Sequence, residues 1–262
     1  MKQKGLLLLL FSILMLGCRS GKITSPDKNA ANWVSLFNGK NLDNWMPKMA
    51  GHNLGENYKN TFRVADGILS VRYNDYDSFK NTFGALYYNK KFTNYRLKVE
   101  YCFVGDTAKG APSWGFRDGG IQYFGQPPAT LALDQPFPVC LEYNLHGGNG
   151  AEERPTGEIC ASGIYVDIDG KRNTSYCTLP TVKRTFADEQ WVLAEIEVRN
   201  DTIRHFVNGE KVLEFTNPRF DAAHAIGKTF ITGADNRVKD GYISLQSNSH
   251  PMDFRKIEIL EY

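Results

Sequence analysis

The sequence predicts an all-β protein, a two-sheet antiparallel β-sandwich of the jelly-roll type. Segments rich in β-branched and aromatic residues recur along most of the chain, and turn residues separate them. One of these segments, residues 95–103, alternates strictly between apolar and polar side chains, which is typical of an antiparallel strand with one buried and one wet face. No stretch shows a sustained helical period.

The predicted strands follow one another along the chain. Residues 203–207 and 211–215 flank Asn208-Gly209 and predict a hairpin, because Asn-Gly favours the tight turn whose twist matches that of the strands. The other strand segments are residues 67–71, 83–88, 95–103, 119–125, 138–146 and 191–198. No linker rich in Pro, Ser or Gly divides them, so residues 32–262 are expected to form a single domain. Sandwiches of the lectin/glucanase type bind carbohydrate on a concave sheet, and this analogy of fold directs attention to the polar strand faces.

The first 31 residues have the layout of an export signal followed by a tether. Two lysines precede a short apolar run, residues 6–16, and Met15-Leu16-Gly17-Cys18 has the form of a lipobox. Residues 1–18 are therefore predicted to be a lipoprotein signal peptide that leaves Cys18 acylated. The alternative is an ordinary signal peptide with a chance cysteine. Residues 19–31 are polar and predict a flexible tether. We expect an exported lipoprotein, held at the membrane by its lipid alone and facing the periplasm.

The charge balance argues against one class of partner, and the cysteine content predicts disulfides. The 31 basic and 29 acidic residues give a net charge of +2, and no Lys/Arg stripe is present, so no nucleic-acid partner is expected. Besides Cys18 the chain contains Cys102, Cys140, Cys160 and Cys177. An even number of cysteines in an exported protein predicts two disulfides, and such a set allows three pairings.

The most informative strand covers residues 138–146. Glu142, Asn144 and His146 lie on one face, about 7 Å apart in steps of two residues, opposite an apolar face. A carboxylate, an amide and an imidazole on one face can supply a base, an orienting group and a second acid or base. The alternative is a solvated strand face. Gly147 and Gly148 follow directly and would let the chain bend closely around a ligand.

Other polar and aromatic residues are candidates for sugar contacts. In the segment 119–125, Gln122 is expected to share a face with Phe124, and the preceding glycines either admit a sugar or form a bulge. Gln246 and His250 near the C-terminus are suited to hydrogen bonds with sugar hydroxyls, although a His before Pro is also typical of a turn. Trp114 can stack on a sugar ring or belong to the core. Arg117 completes the predicted set of binding residues.

Two segments bracket the chain, residues 36–45 (LFNGKNLDNW) and 241–259 (GYISLQSNSHPMDFRKIEI). Together with ordered landmarks between them, they resemble the signatures of the 3-keto-disaccharide hydrolase-like domain family. These landmarks include residues 126–128 (QPP), 134–138 (DQPFP), 154–160 (RPTGEIC) and 205–210 (HFVNGE). The resemblance implies a concanavalin A-like sandwich that acts on sugars oxidised at C3.

The chemistry implied by the resemblance makes physical sense. A ketone at C3 acidifies the hydrogen on C2, so a base can remove it, the group on C1 can leave, and water can add back. The resemblance implies Glu142 as this base and His146 as a second catalytic group. Asn144, Gln246 and His250 would contact the enolate or hydroxyls, and a divalent metal is a possible stabiliser. An oxidoreductase that makes the ketone would be the upstream partner.

The match to the family is not complete. Phe124 stands where relatives often carry His, Asn144 where they carry Gln, and Asn248 where they carry Glu. Three functions therefore compete: cleavage of 3-keto-glycosides, glycan binding without catalysis, and conventional glycosidase chemistry. The third is the weakest, because Glu142 has no obvious acidic partner in the sequence.

The disulfides are predicted as Cys160–Cys177, which would close a short loop, and Cys102–Cys140, which would tie two strands together.

Overall fold

The computed structural model describes residues 32–187 and 189–262, so the predicted signal peptide, the tether and Cys18 lie outside the described residues. Residues Trp33–Tyr262 form one compact unit. The described part consists of strands and loops with four short 3-10 turns at Tyr58–Asn60, Ser113–Gly115, Pro128–Thr130 and Gly227–Phe230. Within it, no helix is long and apolar enough to cross a membrane.

The strands, in chain order, are β1 (Val34–Ser35), β2 (Trp45–Met49), β3 (Phe62–Ala65), β4 (Ile68–Val71), β5 (Gly84–Phe92), β6 (Tyr95–Phe103), β7 (Asp118–Gly125), β8 (Cys140–His146), β9 (Glu158–Ser162), β10 (Ile164–Ile168), β11 (Lys171–Asn173), β12 (Cys177–Thr178), β13 (Val192–Arg199), β14 (Thr202–Val207), β15 (Glu210–Phe220), β16 (Gly241–Ser247) and β17 (Met252–Glu261).

These strands form two antiparallel sheets, which confirms the predicted sandwich. The ten-stranded sheet has the order β11-β10-β15-β14-β13-β6-β17-β4-β3, with β1 paired to β17. The seven-stranded sheet has the order β12-β9-β8-β7-β16-β5-β2. The inner faces of both sheets contribute to one hydrophobic core cluster.

Local patterns account for the strands that the sequence predicts best. In β6 the odd-numbered side chains Tyr95, Leu97 and Val99 are buried, as the alternation requires. The predicted hairpin is formed by β14 and β15, and Asn208 and Gly209 between them adopt φ angles of 48° and 82°, as a tight hairpin turn demands.

The inner face of β8 anchors the seven-stranded sheet to the core. Leu141, Tyr143 and Leu145 are fully buried. The intervening Glu142, Asn144 and His146 therefore occupy the other side, which we call the outer face of the seven-stranded sheet.

The disulfide between Cys160 and Cys177 is confirmed, with an S–S distance of 2.00 Å. It joins directly opposed residues of β9 and the short edge strand β12. The predicted Cys102–Cys140 bond is wrong. Cys102 alternates with the inward side chains of β6 and Cys140 with those of β8, so the two cysteines lie on the outer faces of different sheets. The packed core, about 10 Å between sheet planes, separates them.

Candidate active site

A cavity of about 260 Å³ opens on the outer face of the seven-stranded sheet, and we call it the site pocket. Strands β7, β8, β9, β12 and β16 contribute to its walls, together with the connecting segments that carry Trp114, Phe137, Tyr176 and Asn248. Its lining residues are Trp114, Asp118, Phe137, Glu142, Asn144, Cys160, Tyr176, Cys177, Gln246 and Asn248. The lining thus combines carboxylates and amides with aromatic rings.

The register of β7 against β8 brings polar side chains together. Gln122 is opposite Glu142, and Asp118 is opposite His146. Opposed residues of an antiparallel pair project from the same face of the sheet. Two carboxylates, one amide and one imidazole therefore occupy neighbouring positions on the outer face.

Two hydrogen bonds orient the Glu142 carboxylate. Gln122 Nε2 donates to Glu142 Oε2 over 3.1 Å, and Ser244 Oγ donates to Gln122 Oε1 over 2.9 Å. Because the Gln122 oxygen accepts from Ser244, its amide nitrogen must face Glu142. The Glu142 carboxylate is thereby held in one orientation at the pocket.

Gly120 makes room for this carboxylate. A Cβ atom at position 120 would lie 2.4 Å from Glu142 Cδ and 2.6 Å from Glu142 Cγ. Real contacts of this kind are never so short, so any side chain there would displace Glu142. The sequence suggested that these glycines admit a sugar or form a bulge. At Gly120 the Glu142 side chain fills the space, and β7 pairs with β8 there without a register shift.

The environment makes Glu142 a stronger base than an ordinary carboxylate. Its pKa is raised to about 8, mainly by burial; the hydrogen bond from Gln122 opposes this shift, and the negative charges of Asp118 and Glu158 add to it. Desolvation is the largest of these effects. A pKa near the working pH is what a general acid or base requires.

Asp118 also lines the pocket, although the sequence patterns did not point to it. Its Oδ2 lies 2.9 Å from His146 Nε2, and its Oδ1 accepts a hydrogen bond from Asn248 Nδ2. His146 does not line the pocket, whereas Asp118 does, so the imidazole stands behind the carboxylate. The alternation that puts Gln122 on the outer face also includes Asp118, but the sequence alone does not show that the strand begins so early.

Asn144 links the pocket to a third carboxylate. Its Nδ2 donates to Glu158 Oε2 over 3.1 Å, and Glu158 Oε2 lies 4.0 Å from His146 Nδ1. Burial raises the pKa of Glu158, while His146 and the Asn144 hydrogen bond lower it. The outer face thus holds a continuous polar network around the imidazole.

Trp114 and Tyr176 supply aromatic surface to the pocket. Trp114 is 51% exposed and stacks on Phe83 with ring centroids 5.6 Å apart, so one of its faces is covered. Tyr176 is 61% exposed and directly precedes the disulfide-bonded Cys177. Exposed aromatic faces of this kind suit the apolar side of a sugar ring.

Besides Gln122, which orients Glu142, two predicted binding residues lie outside the pocket lining, Arg117 and His250. Arg117 donates to the Gly148 carbonyl and packs over the Phe116 ring. His250 is buried between Phe103 and Phe116, with Nδ1 2.8 Å from Thr107 Oγ1. Their polar groups order loops beside the site.

Gly147 and Gly148 allow close approach of neighbouring protein atoms. A Cβ at Gly147 would lie 2.9 Å from Arg117 Cδ, and one at Gly148 would lie 2.9 Å from Thr185 Cγ2. The expected close bend is present, but the neighbours are protein side chains instead of a ligand.

Phe124 departs from the predicted alternation. Its φ angle is 49°, which breaks the strand geometry, and its side chain is buried in the core cluster. It lines a second cavity of about 240 Å³, beside the salt bridges Asp235–Arg237, Asp235–Lys239 and Lys91–Asp240. The charged side chains of this second cavity are paired with one another. We therefore take the site pocket as the candidate active site.

The residues present do not fit a divalent metal. In the described part of the chain, one group of three potential ligands lies close together, namely Glu158, Cys160 and Cys177. The two sulfur atoms are joined in a disulfide and cannot act as thiolate ligands.

Comparisons with known proteins agree with this architecture. A model of the 3-keto-α-glucoside-1,2-lyase-like domain family matches residues 32–260. No curated protein matches the chain.

Solved structures share the fold at low sequence identity. A candidate glycosyl hydrolase from Parabacteroides distasonis has a TM-score of 0.54 at 17% identity, over 88% of this chain and 94% of that one. A Bacillus subtilis protein of unknown function with a galectin-like fold has a TM-score of 0.52 at 9% identity, over 88% and 94%. LamAcat from Zobellia galactanivorans has a TM-score of 0.52 at 12% identity, over 89% and 98%.

Proposed function

Because the chain belongs to the family of 3-keto-α-glucoside-1,2-lyase-like domains, we propose that its pocket binds a glycoside oxidised at C3 and cleaves the bond at C1. The observation that carries this proposal is Glu142, a carboxylate with a raised pKa that Gln122 orients at the pocket. A base of this strength suits removal of the hydrogen next to a ketone. An oxidoreductase acting on the sugar C3 hydroxyl would supply the substrate.

The proposed reaction has two stages. Glu142 takes the C2 proton, and the electrons of the C2–H bond pass to the ketone as an enolate. The enolate then expels the group on C1, forming a C1–C2 double bond, and the leaving oxygen takes a proton from the Asp118–His146 pair. Water adds its oxygen to C1 and a proton to C2, so the net change is hydrolysis.

We predict that kcat/KM rises with pH towards about 8. The base acts only as the carboxylate, so at each pH below the Glu142 pKa of about 8 the active fraction falls about tenfold per unit. Replacing Gln122 by Met removes a hydrogen bond that favours the charged form, so the rising limb should move to higher pH. A pH–rate profile of both proteins checks this. A rate that is independent of pH below about 8, or a limb unmoved in Gln122→Met, would reject Glu142 as the base.

One observation favours conventional glycosidase chemistry as a second candidate. The sequence offered no acidic partner for Glu142, but Asp118 and Glu158 lie close enough to raise its pKa. Paired carboxylates are what retaining and inverting glycosidases use. Glycan binding without turnover, with Trp114 and Tyr176 as stacking surfaces, is the alternative outcome of the same experiments.

We also propose that the protein is exported and anchored through a lipid on Cys18. The support is the apolar run that ends in Leu16-Gly17-Cys18. Cys18→Ala should move the protein from the membrane to the soluble envelope fraction. Equal membrane association of the variant and the wild type would contradict this anchor.

A further inference from the structure

Three buried amide oxygens at the site pocket have no hydrogen-bond partner. They are Asn144 Oδ1, Gln246 Oε1 and Asn248 Oδ1. Their residues are 7%, 3% and 4% exposed, and all three line the pocket. A buried acceptor without a donor lowers the stability by roughly 1–3 kcal/mol. Three such acceptors in one cavity indicate a ligand that donates hydrogen bonds to them.

The orientations of two of these amides are fixed by carboxylates. Asn144 Nδ2 donates to Glu158, and Asn248 Nδ2 donates to Asp118. Turning either amide over would set its oxygen against a carboxylate oxygen, which is repulsive. The two oxygens are therefore held as acceptors.

The charged groups of the pocket have one sign. Asp118 lines it, Glu158 stands behind Asn144, and no Lys or Arg is among the lining residues. Glu142 adds an acceptor to the lining, but its raised pKa leaves it mostly uncharged at pH 7, so the repulsion is assigned to Asp118. A ligand with several hydrogen-bond donors finds partners there. A ligand with a carboxylate or sulfate finds acceptors and negative charge, and burial strengthens the repulsion.

We infer that Asn144, Gln246 and Asn248 determine specificity for sugar rings that present free hydroxyls, and that rings carrying a carboxylate or sulfate are rejected. This rests on the proposed function only in taking a sugar as the ligand, and it does not require turnover. Trp114 and Tyr176 would cover the apolar faces of the same ring.

The inference is tested by calorimetric binding to the Glu142→Gln protein, which removes turnover. The ligands are methyl 3-keto-α-glucoside, its C6 carboxylate counterpart and the corresponding parent glycosides. We expect the neutral member of each pair to bind at least ~10-fold more tightly at pH 7. Equal affinity for the carboxylate, or no measurable binding of any neutral member, would overturn the inference.

A second variant separates recognition from folding. Gln246→Met keeps the length of the side chain and removes the unpartnered oxygen, so in the same background affinity for the neutral ligand should fall about tenfold. The Tm of the free protein should stay or rise, because a buried unsatisfied group is lost. Gln190→Met, at an exposed position outside the pocket lining, is the control. Unchanged affinity in Gln246→Met, or a loss explained by a lower Tm, would contradict the assignment.

The outcome is distinguishable from failure of the proposed function. If the wild type binds neutral rings selectively but never cleaves a 3-keto-glycoside, the specificity assignment stands and the proposed reaction fails. If it cleaves neutral and acidic 3-keto-glycosides equally well, the reaction stands and the specificity assignment fails.

Discussion

Replacing Glu142 by Gln is expected to reduce turnover of a 3-keto-glycoside by at least ~100-fold while sugar binding survives. Gln has nearly the same shape and retains an oxygen that can accept from Gln122 Nε2, which donates to Glu142 Oε2 over 3.1 Å. The variant lacks only the group that takes the C2 proton. The loss should therefore fall on kcat, with little change in the affinity for substrate.

Steady-state kinetics with a binding measurement checks this prediction. Glu153→Gln is the matched control, because Glu153 is an exposed carboxylate paired with Lys183. The control should keep wild-type turnover. If Glu142→Gln also keeps it, the base lies elsewhere.

A methyl group at position 120 is expected to be nearly as damaging. The Cβ of Gly120→Ala would lie 2.4 Å from Glu142 Cδ, so the carboxylate must move by about an ångström. Displacement of a reacting group by that distance costs on the order of 100-fold in rate. The fold should survive, because the clash is with a side chain at the pocket and not with the core.

The adjacent glycine provides the control for this variant. A Cβ at Gly119 points to the other face of β7 and meets the flexible end of Met252, 2.6 Å away at Sδ. Gly119→Ala should lower the Tm modestly and leave turnover close to that of the wild type. Comparable activity loss in both variants would mean that strand distortion, and not displacement of Glu142, is responsible.

Local sequence patterns predicted much of the fold and one strand of the site. The alternation in β6 and the Asn-Gly turn are short-range signals, and both are found as expected. The face shared by Glu142, Asn144 and His146 follows from the same period-two rule.

The remaining features depend on contacts between distant segments. Asp118 joins the site because β7 pairs with β8 in one particular register, which no local pattern states. Arg117 and His250 carry suitable chemistry but order loops. The pairing of Cys102 with Cys140 failed because the sequence did not reveal that their strands belong to different sheets.

Cleavage through an enolate formed by Glu142 predicts a distinct outcome in D2O. The wild-type protein is incubated with a 3-keto-glycoside and, separately, with its parent glycoside, and cleavage and deuterium at C2 are followed by NMR. We predict cleavage of the 3-keto-glycoside alone, with deuterium entering C2. Equal cleavage of the parent glycoside without deuterium at C2 would contradict the enolate mechanism and favour hydrolysis by the carboxylates of Glu142 and Asp118.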